Sequence, residues 1–193
     1  MVRPVAEGCR VIAGSARGVR LEVPRGAATR PLSDRVKQSL FGALEADGAL
    51  EGPFLDLFAG TGAAGIEALS RGAPRATFVE HDARACATIA SNLERAGLAS
   101  GTVVHADVPV FLAERGGEGA PYRACLVDPP YDLPAVERTL ELLGSAPHWL
   151  EDDGVVVAKH FWRDHAPDSA GRLARTRRRR FGETALTFYT LRR

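Results

Sequence analysis

From residue 54 onward the chain repeats one unit, a short apolar run followed by a helix-length segment, and few folds accept that rhythm. The runs and their followers are 54–57 then 62–71, 75–80 then 83–96, 102–105 then 108–114, 124–127 then 134–144, and finally 154–159. Such alternation is the mark of a doubly wound parallel sheet, so an α/β, Rossmann-like architecture is expected. After an irregular Asp/His/Pro-containing stretch at 163–170, residues 172–181 and 185–191 flank Gly182-Glu183-Thr184 and predict an antiparallel pair that closes the sheet.

Ahead of this body, residues 10–13 and 19–23 surround a polar, Gly-bearing turn at 14–18 and read as a small hairpin. Ser33 sits where a helix N-cap belongs, Asp34 suits the first turn, and Val36, Leu40, Phe41 and Leu44 recur at helical spacing, which predicts a helix over 34–45. The expected division is a hairpin and helix extension over 1–45 and one main domain over 46–193, since 193 residues support a single full core.

No stretch approaches the roughly 18 consecutive apolar residues a membrane span needs, and the N-terminus lacks a secretory apolar region, which predicts a cytoplasmic protein. Cys9, Cys86 and Cys125 are far apart and form no Cys-x-x-Cys pair, so they read as free, mostly buried thiols. The net charge of +1 conceals a polarity: residues 1–41 carry eight Arg/Lys against three Asp/Glu, 42–171 nine against twenty, and 172–193 eight against one. Basic ends on an acidic middle suit a polyanion-binding rim on a body that handles something cationic, although the segments could equally pair with one another.

The first strand ends in Asp56-Leu57-Phe58-Ala59-Gly60-Thr61-Gly62-Ala63-Ala64-Gly65 and opens into a helix. That puts a Gly-rich turn where open α/β sheets bind ligands, with helix N–H groups available to a ligand carboxylate. Gly60-x-Gly62-x-x-Gly65 matches the dinucleotide fingerprint, and Glu80, about 20 residues on, stands where an acid grips ribose hydroxyls. The spacing alone admits NAD or S-adenosylmethionine. Asp56 favours the latter, because a carboxylate there suits a cationic amino acid moiety and repels a pyrophosphate, and little chain remains for a dehydrogenase's substrate domain.

The candidate cofactor set is Asp56, Phe58, Ala59, Gly60, Gly62, Glu80, its neighbour His81, and Asp107 and Asp128 at the ends of strands three and four. Asp56 could instead be satisfied by backbone N–H groups, and Asp107 could cap a helix beginning near Val108 rather than accept from an adenine amino group. His148, His160 and His165 are scattered without ligand spacing; no metal is expected.

Strand four ends in the most specific motif, Asp128-Pro129-Pro130-Tyr131. An aromatic amine is a poor nucleophile because its lone pair is delocalised, so an enzyme must draw the nitrogen toward sp³ geometry with hydrogen-bond acceptors. Asp128 supplies a carboxylate and the Pro129 carbonyl a second acceptor, successive prolines remove competing N–H donors, and Tyr131 offers a ring on which an extracted base can stack. These four are the candidate catalytic residues, for in-line transfer of a methyl group to an exocyclic amine.

In order and in kind, these elements resemble the RsmD family of small-subunit ribosomal RNA guanine-N2 methyltransferases over nearly the whole chain. The resemblance rests on Thr29-Arg30-Pro31-Leu32-Ser33-Asp34-Arg35-Val36-Lys37, Leu55–Gly65, Asp128–Tyr131, the Arg17–Leu21 hairpin and the Phe181–Thr184 end. It implies methylation of the N2 amino group of one guanine in 16S-type ribosomal RNA, on an assembled or assembling small subunit, by a monomer. Arg17, Arg20, Arg30, Arg35 and Lys37 would then form an RNA-facing rim, as phosphate contacts bind without reading sequence; a solvated face is the alternative. Four successive arginines at 177–180 cannot all face one ligand, because alternate strand residues point to opposite sides. The chain departs from the family at Leu32, where Thr is frequent, at Gln38, where Glu is common, and at Lys159-His160, where an acid usually ends strand five.

Other chemistries are less well matched. A DNA adenine-N6 methyltransferase shares the Asp-Pro-Pro-Tyr motif but usually brings a sizeable target-recognition segment, and the spaces between motifs here are short. A cytosine-C5 enzyme needs a Pro-Cys thiolate, and no cysteine here follows a proline. A protein glutamine methyltransferase typically has Asn in place of Asp128. From another class, a ribosome-assembly factor that binds S-adenosylmethionine and RNA without useful catalysis, or a small NAD-binding protein, would share most of the pattern.

Overall fold

Residues 54–57 and 76–80 are buried throughout, as strands covered on both faces must be. They form β1 (Phe54–Leu57) and β2 (Ala76–Glu80), followed by β3 (Gly101–His105), β4 (Tyr122–Val127), β5 (Leu150–Phe161), β6 (Ser169–Ala170), β7 (Leu173–Phe181) and β8 (Thr184–Leu191). The helices are α1 (Asp34–Ala46), α2 (Ala63–Ser70), α3 (Ala83–Ala96), α4 (Val108–Glu114) and α5 (Leu133–Ser145). This computed structural model describes residues 10–23, 32–114, 121–130 and 132–192. Arg30 and Tyr131 therefore lie outside the described residues, as does Cys9. Among those described, no helix is long and apolar enough to cross a membrane.

One sheet joins the described strands in the order β3-β2-β1-β4-β5-β8-β7-β6, with β3 through β5 parallel and β8, β7 and β6 added antiparallel. The doubly wound, mostly parallel expectation holds. The predicted closing pair is β7 and β8, with β8 returning into the gap between β5 and β7. The two-residue β6 carries no periodic signal and was not legible in sequence.

Alternation along each strand sends side chains to two cores. Phe54, Phe78 and Leu126 pack with Phe41, Ile66 and Ile89 beneath α1–α3, whereas Leu55, Val79 and Val127 pack with Phe111, Leu140 and Trp149 beneath α4 and α5. Local signals fix the helix ends. Ser33 Oγ accepts from Val36 N–H at the start of α1, Asp82 accepts from Arg84 and Ala85 N–H at the start of α3, and Gly97 ends α3 in the left-handed region.

The expected hairpin forms as a short one: Arg10 and Arg20 make an isolated antiparallel bridge, Val11 N–H donates to the Val19 carbonyl and Gly18 N–H to the Val11 carbonyl, each at 2.9 Å. Other N–H groups of the segment reach the helices: Ile12 and Ala13 N–H donate to the two oxygens of Glu67 on α2 at 2.8 and 3.0 Å, and Glu22 N–H donates to Asn92 Oδ1 on α3 at 2.7 Å. The extension is thus bound both to itself and to the helices.

Candidate active site

Strand order reverses at β1, which has β2 on one side and β4 on the other, and ligands of open α/β sheets bind outside the carboxyl ends at such a switch point. The glycine turn rises here. Phe58 takes φ +62°, rare for a bulky residue, and Gly60 and Gly62 follow at +56° and +74°. Gly62 caps α2, and at Gly65 a Cβ would lie 2.2 Å from the Phe78 ring, so the first turn of α2 can sit against β2 only with glycine there.

Two carboxylates brace this turn from below. Asp56, 2% exposed, accepts from Gly65 N–H at 2.8 Å through Oδ2, and burial raises its pKa well above the usual carboxylate range. Glu80 accepts from Gly60 N–H at 2.8 Å through Oε2, and from Asp82 N–H at 2.9 Å through Oε1. The His81 ring, largely exposed, has Nδ1 2.9 Å from Glu80 Oε1. Asp107 is exposed past the end of β3 and lies 3.5 Å from Val110 N–H, the geometry of a weak cap on α4. Ala59 is buried in the turn.

Asp128 follows Val127, whose register partner on β1 is Leu57, so the first residue of the Asp-Pro-Pro motif stands beside Phe58 and the start of the glycine turn. Its side chain is 18% exposed, Pro129 is buried and Pro130 is exposed. Sequence reasoning did not place Lys159 in the site, yet its Nζ lies 2.6 Å from Asp128 Oδ1. Burial raises the Asp128 pKa, and the Lys159 charge and hydrogen bond oppose that rise. The only available signal was position: Lys159 lies near the carboxyl end of a strand neighbouring β4, on the edge where ligands bind.

The expected basic rim divides. Arg20 and Arg35 are exposed near the N-terminal end of α1, where Arg10 pairs with Asp34 at 2.7 Å. Arg17 is also exposed but belongs to the turn whose Ser15 N–H binds the Ser70 carbonyl at 2.8 Å, at the end of α2 remote from the glycine turn. Lys37 departs from expectation. Its side chain is 0% exposed, and Nζ donates to the Arg10 carbonyl and lies 3.9 Å from Asp34 Oδ1, so it locks the extension to α1 and presents no charge to a ligand. Leu32, one of the family departures, is buried in the core beneath α1.

The family described as Conserved hypothetical protein 95 matches residues 9–190. YlbH of Bacillus subtilis is 38% identical over 191 residues, spanning 93% of this chain and 97% of its own. The Escherichia coli K12 protein named Ribosomal RNA small subunit methyltransferase D is 33% identical over 180 residues, spanning 93% of this chain and 88% of its own. Among solved structures, yhhF from Escherichia coli superposes with a TM-score of 0.82 at 34% identity, covering 94% of this chain and 97% of that one.

Proposed function

Since the chain belongs to the Conserved hypothetical protein 95 family, S-adenosylmethionine-dependent methyltransferases related to the RsmD proteins, we propose that it methylates the N2 amino group of a guanine in 16S-type ribosomal RNA of the small subunit. The observation that carries this reading is the position of Asp128, a partly shielded carboxylate at the end of β4, beside the glycine turn and paired with Lys159. Similarity to a relative that bears the name of a small-subunit ribosomal RNA methyltransferase supports the choice of substrate.

The turn fits S-adenosylmethionine: glycines leave room where a Cβ would intrude, and Glu80 stands at the end of β2 to bind ribose hydroxyls. Gly60, Gly62, Phe58 and Ala59 would line the cofactor, with Asp56 shaping the loop from beneath, and His81 and Asp107 at the rim. When bound, the cofactor supplies an electrophilic methyl group on a sulfonium.

Asp128 and the Pro129 carbonyl accept the N–H groups of the target amine and aim its lone pair. On in-line transfer, with the cofactor's thioether as leaving group, the amine's excess proton would pass to Asp128 or to water. Lys159 is a positioning residue whose charge and hydrogen bond oppose the rise that burial imposes on the Asp128 pKa. Tyr131 follows in the motif as the stacking ring, and Arg20 and Arg35 face the RNA backbone, joined by Arg30 from the same sequence element. A cytosine-C5 route is disfavoured by Cys125, which is 1% exposed on β4 with a thiol pKa pushed well up by burial.

The test is methyl transfer from labelled S-adenosylmethionine to small subunits from cells lacking this protein, followed by nucleoside analysis. Label in N2-methylguanosine is the expected result. Label confined to DNA or protein would overturn the substrate.

A further inference from the structure

Arg177–Arg180 does not act as one run. A register shift between Arg175 and Arg177 sets the strand, after which alternate side chains leave opposite faces of β7. Arg177 and Arg179 turn to α1: Arg177 pairs with Asp47 and lies over the Phe188 ring at 4.3 Å, and Arg179 donates to Ser39 Oγ at 3.3 Å. Arg178 and Arg180 leave the other face and converge on Trp162, the first residue beyond β5. Arg180 Cζ lies 3.4 Å and Arg163 Cζ 5.0 Å from the centre of the indole. Arg178 donates to the carbonyls of Trp162 and Asp164. With His165 these residues line a cleft of about 480 Å³.

Among the described residues, none of Arg163, Arg178 and Arg180 forms an ion pair with a carboxylate, whereas Arg175 and Arg177 on the same strand are paired with Asp168 and Asp47. Three guanidiniums around one indole repel each other, and an incoming anion removes that cost. An indole and a guanidinium plane are also the surfaces on which unpaired nucleic-acid bases stack.

The cleft stands on the catalytic edge. β5 and β7 run in the same direction on either side of β8, and Phe161, Thr184 and Phe181 are register partners at their carboxyl ends, three residues or about 10 Å beyond Ala158, the partner of Val127 at the end of β4. From β4 to β7 is three strand spacings, about 14 Å. A strand of RNA delivering one base to Asp128 can therefore continue over Trp162.

We propose that this cleft binds the substrate RNA beside its target nucleotide, with an unpaired base stacked on the Trp162–Arg180 pair and a phosphate on Arg178 and Arg163. The proposal rests on the reading of the protein as an RNA methyltransferase. Short oligouridylate is a suitable probe, because uracil has no exocyclic amine to occupy the target site. Trp149, the other tryptophan, is fully buried, so quenching of fluorescence on titration reports Trp162.

Saturable quenching is expected in the parent. Arg178→Gln with Arg180→Gln should weaken binding about tenfold or more and lower the slope of log affinity against log salt by up to about 1.4. Trp162→Phe should bind with the quench lost. On small subunits the double variant should raise KM about tenfold, leaving kcat and S-adenosylmethionine affinity unchanged. Unchanged RNA affinity in the double variant, or equal quenching by polyglutamate, which offers charge without rings, would overturn the site. If the parent methylates subunits and the double variant does so with unchanged KM, the cleft falls and the enzymatic reading stands. If oligouridylate binds as expected but no RNA is methylated, the reading falls and the cleft remains an RNA site.

Discussion

Asp128 lies under opposed influences, burial raising its pKa and Lys159 holding it down, and the balance sets the pH at which it can accept a hydrogen bond from an amine. In Lys159→Met burial acts unopposed, so the carboxyl keeps its proton to higher pH. The acid limb of kcat/KM should then move to higher pH, with activity recovering at the alkaline end; a pH profile checks this, and an unmoved limb would remove Lys159 from the chemistry. Asp128→Ala should lose about 10²–10³ in turnover while cofactor binding, read by thermal shift, persists. Asp56 makes a different prediction. Its folded pKa is raised, so the folded state loses stability as pH rises from the unfolded pKa through the folded one, and loses none below both. Asp56→Asn should match the parent's urea midpoint in acid and exceed it near neutrality, because the amide oxygen can still accept from Gly65 N–H. At this scale the glycine turn and the Asp-Pro-Pro motif were legible in sequence as local patterns, and the fold places both at the carboxyl edge of the sheet. The sequence did not disclose that Lys159 reaches Asp128 or that Lys37 is buried, because both depend on partners 31 and 27 residues away.

Among the elements, α2 does the most joining. Buried on every side, it carries one carboxylate, Glu67, which accepts from Ile12 and Ala13 N–H and from Arg71 Nε at 2.8 Å. Glu67→Ala would strand two backbone donors and leave the nearly buried Arg71 guanidinium with Glu45 as its remaining carboxylate, at a cost of about 3–5 kcal/mol. Urea unfolding measures the loss, and faster amide exchange at Ile12 and Ala13 would locate it in the extension. A charged residue inside an otherwise apolar helix is itself a legible signal of a buried partner, although which partner is not. Parallel strands and their helices were readable because periodicity is local. The short hairpin was readable for the same reason, but not that the N–H groups of Ile12, Ala13 and Glu22 find acceptors on α2 and α3, because those partners are distant in sequence. Pairing across the sheet, including the return of β8 between β5 and β7, depends on contacts that no local pattern encodes.

At the scale of the whole molecule, near-zero net charge hides two basic segments, and the fold brings them together. Helix α1 leans on β7 through Arg177–Asp47 and Arg179–Ser39, so the basic N-terminal and C-terminal segments lie side by side while the acidic middle forms β1–β5 and the glycine turn. Pairing between basic and acidic segments does occur, as at Arg10–Asp34, but it leaves Arg20, Arg35, Arg178 and Arg180 exposed. Affinity for RNA should therefore fall steeply with salt although the protein carries only +1 overall, because local charge rather than net charge displaces counterions from phosphates. Position makes the expectation specific. Arg20 and Arg35 flank the N-terminal end of α1, whereas Arg17 lies beside Ser70, eight residues of helix or about 12 Å from the glycine turn. Removing Arg20 and Arg35 together should lower the salt slope of subunit binding by about 1.4, some 0.7 for each phosphate no longer neutralised, and Arg17→Ala should leave it where it was. An equal fall in slope from Arg17→Ala and from Arg20→Ala would mean that the RNA wraps the flank of α2 as well as the catalytic edge.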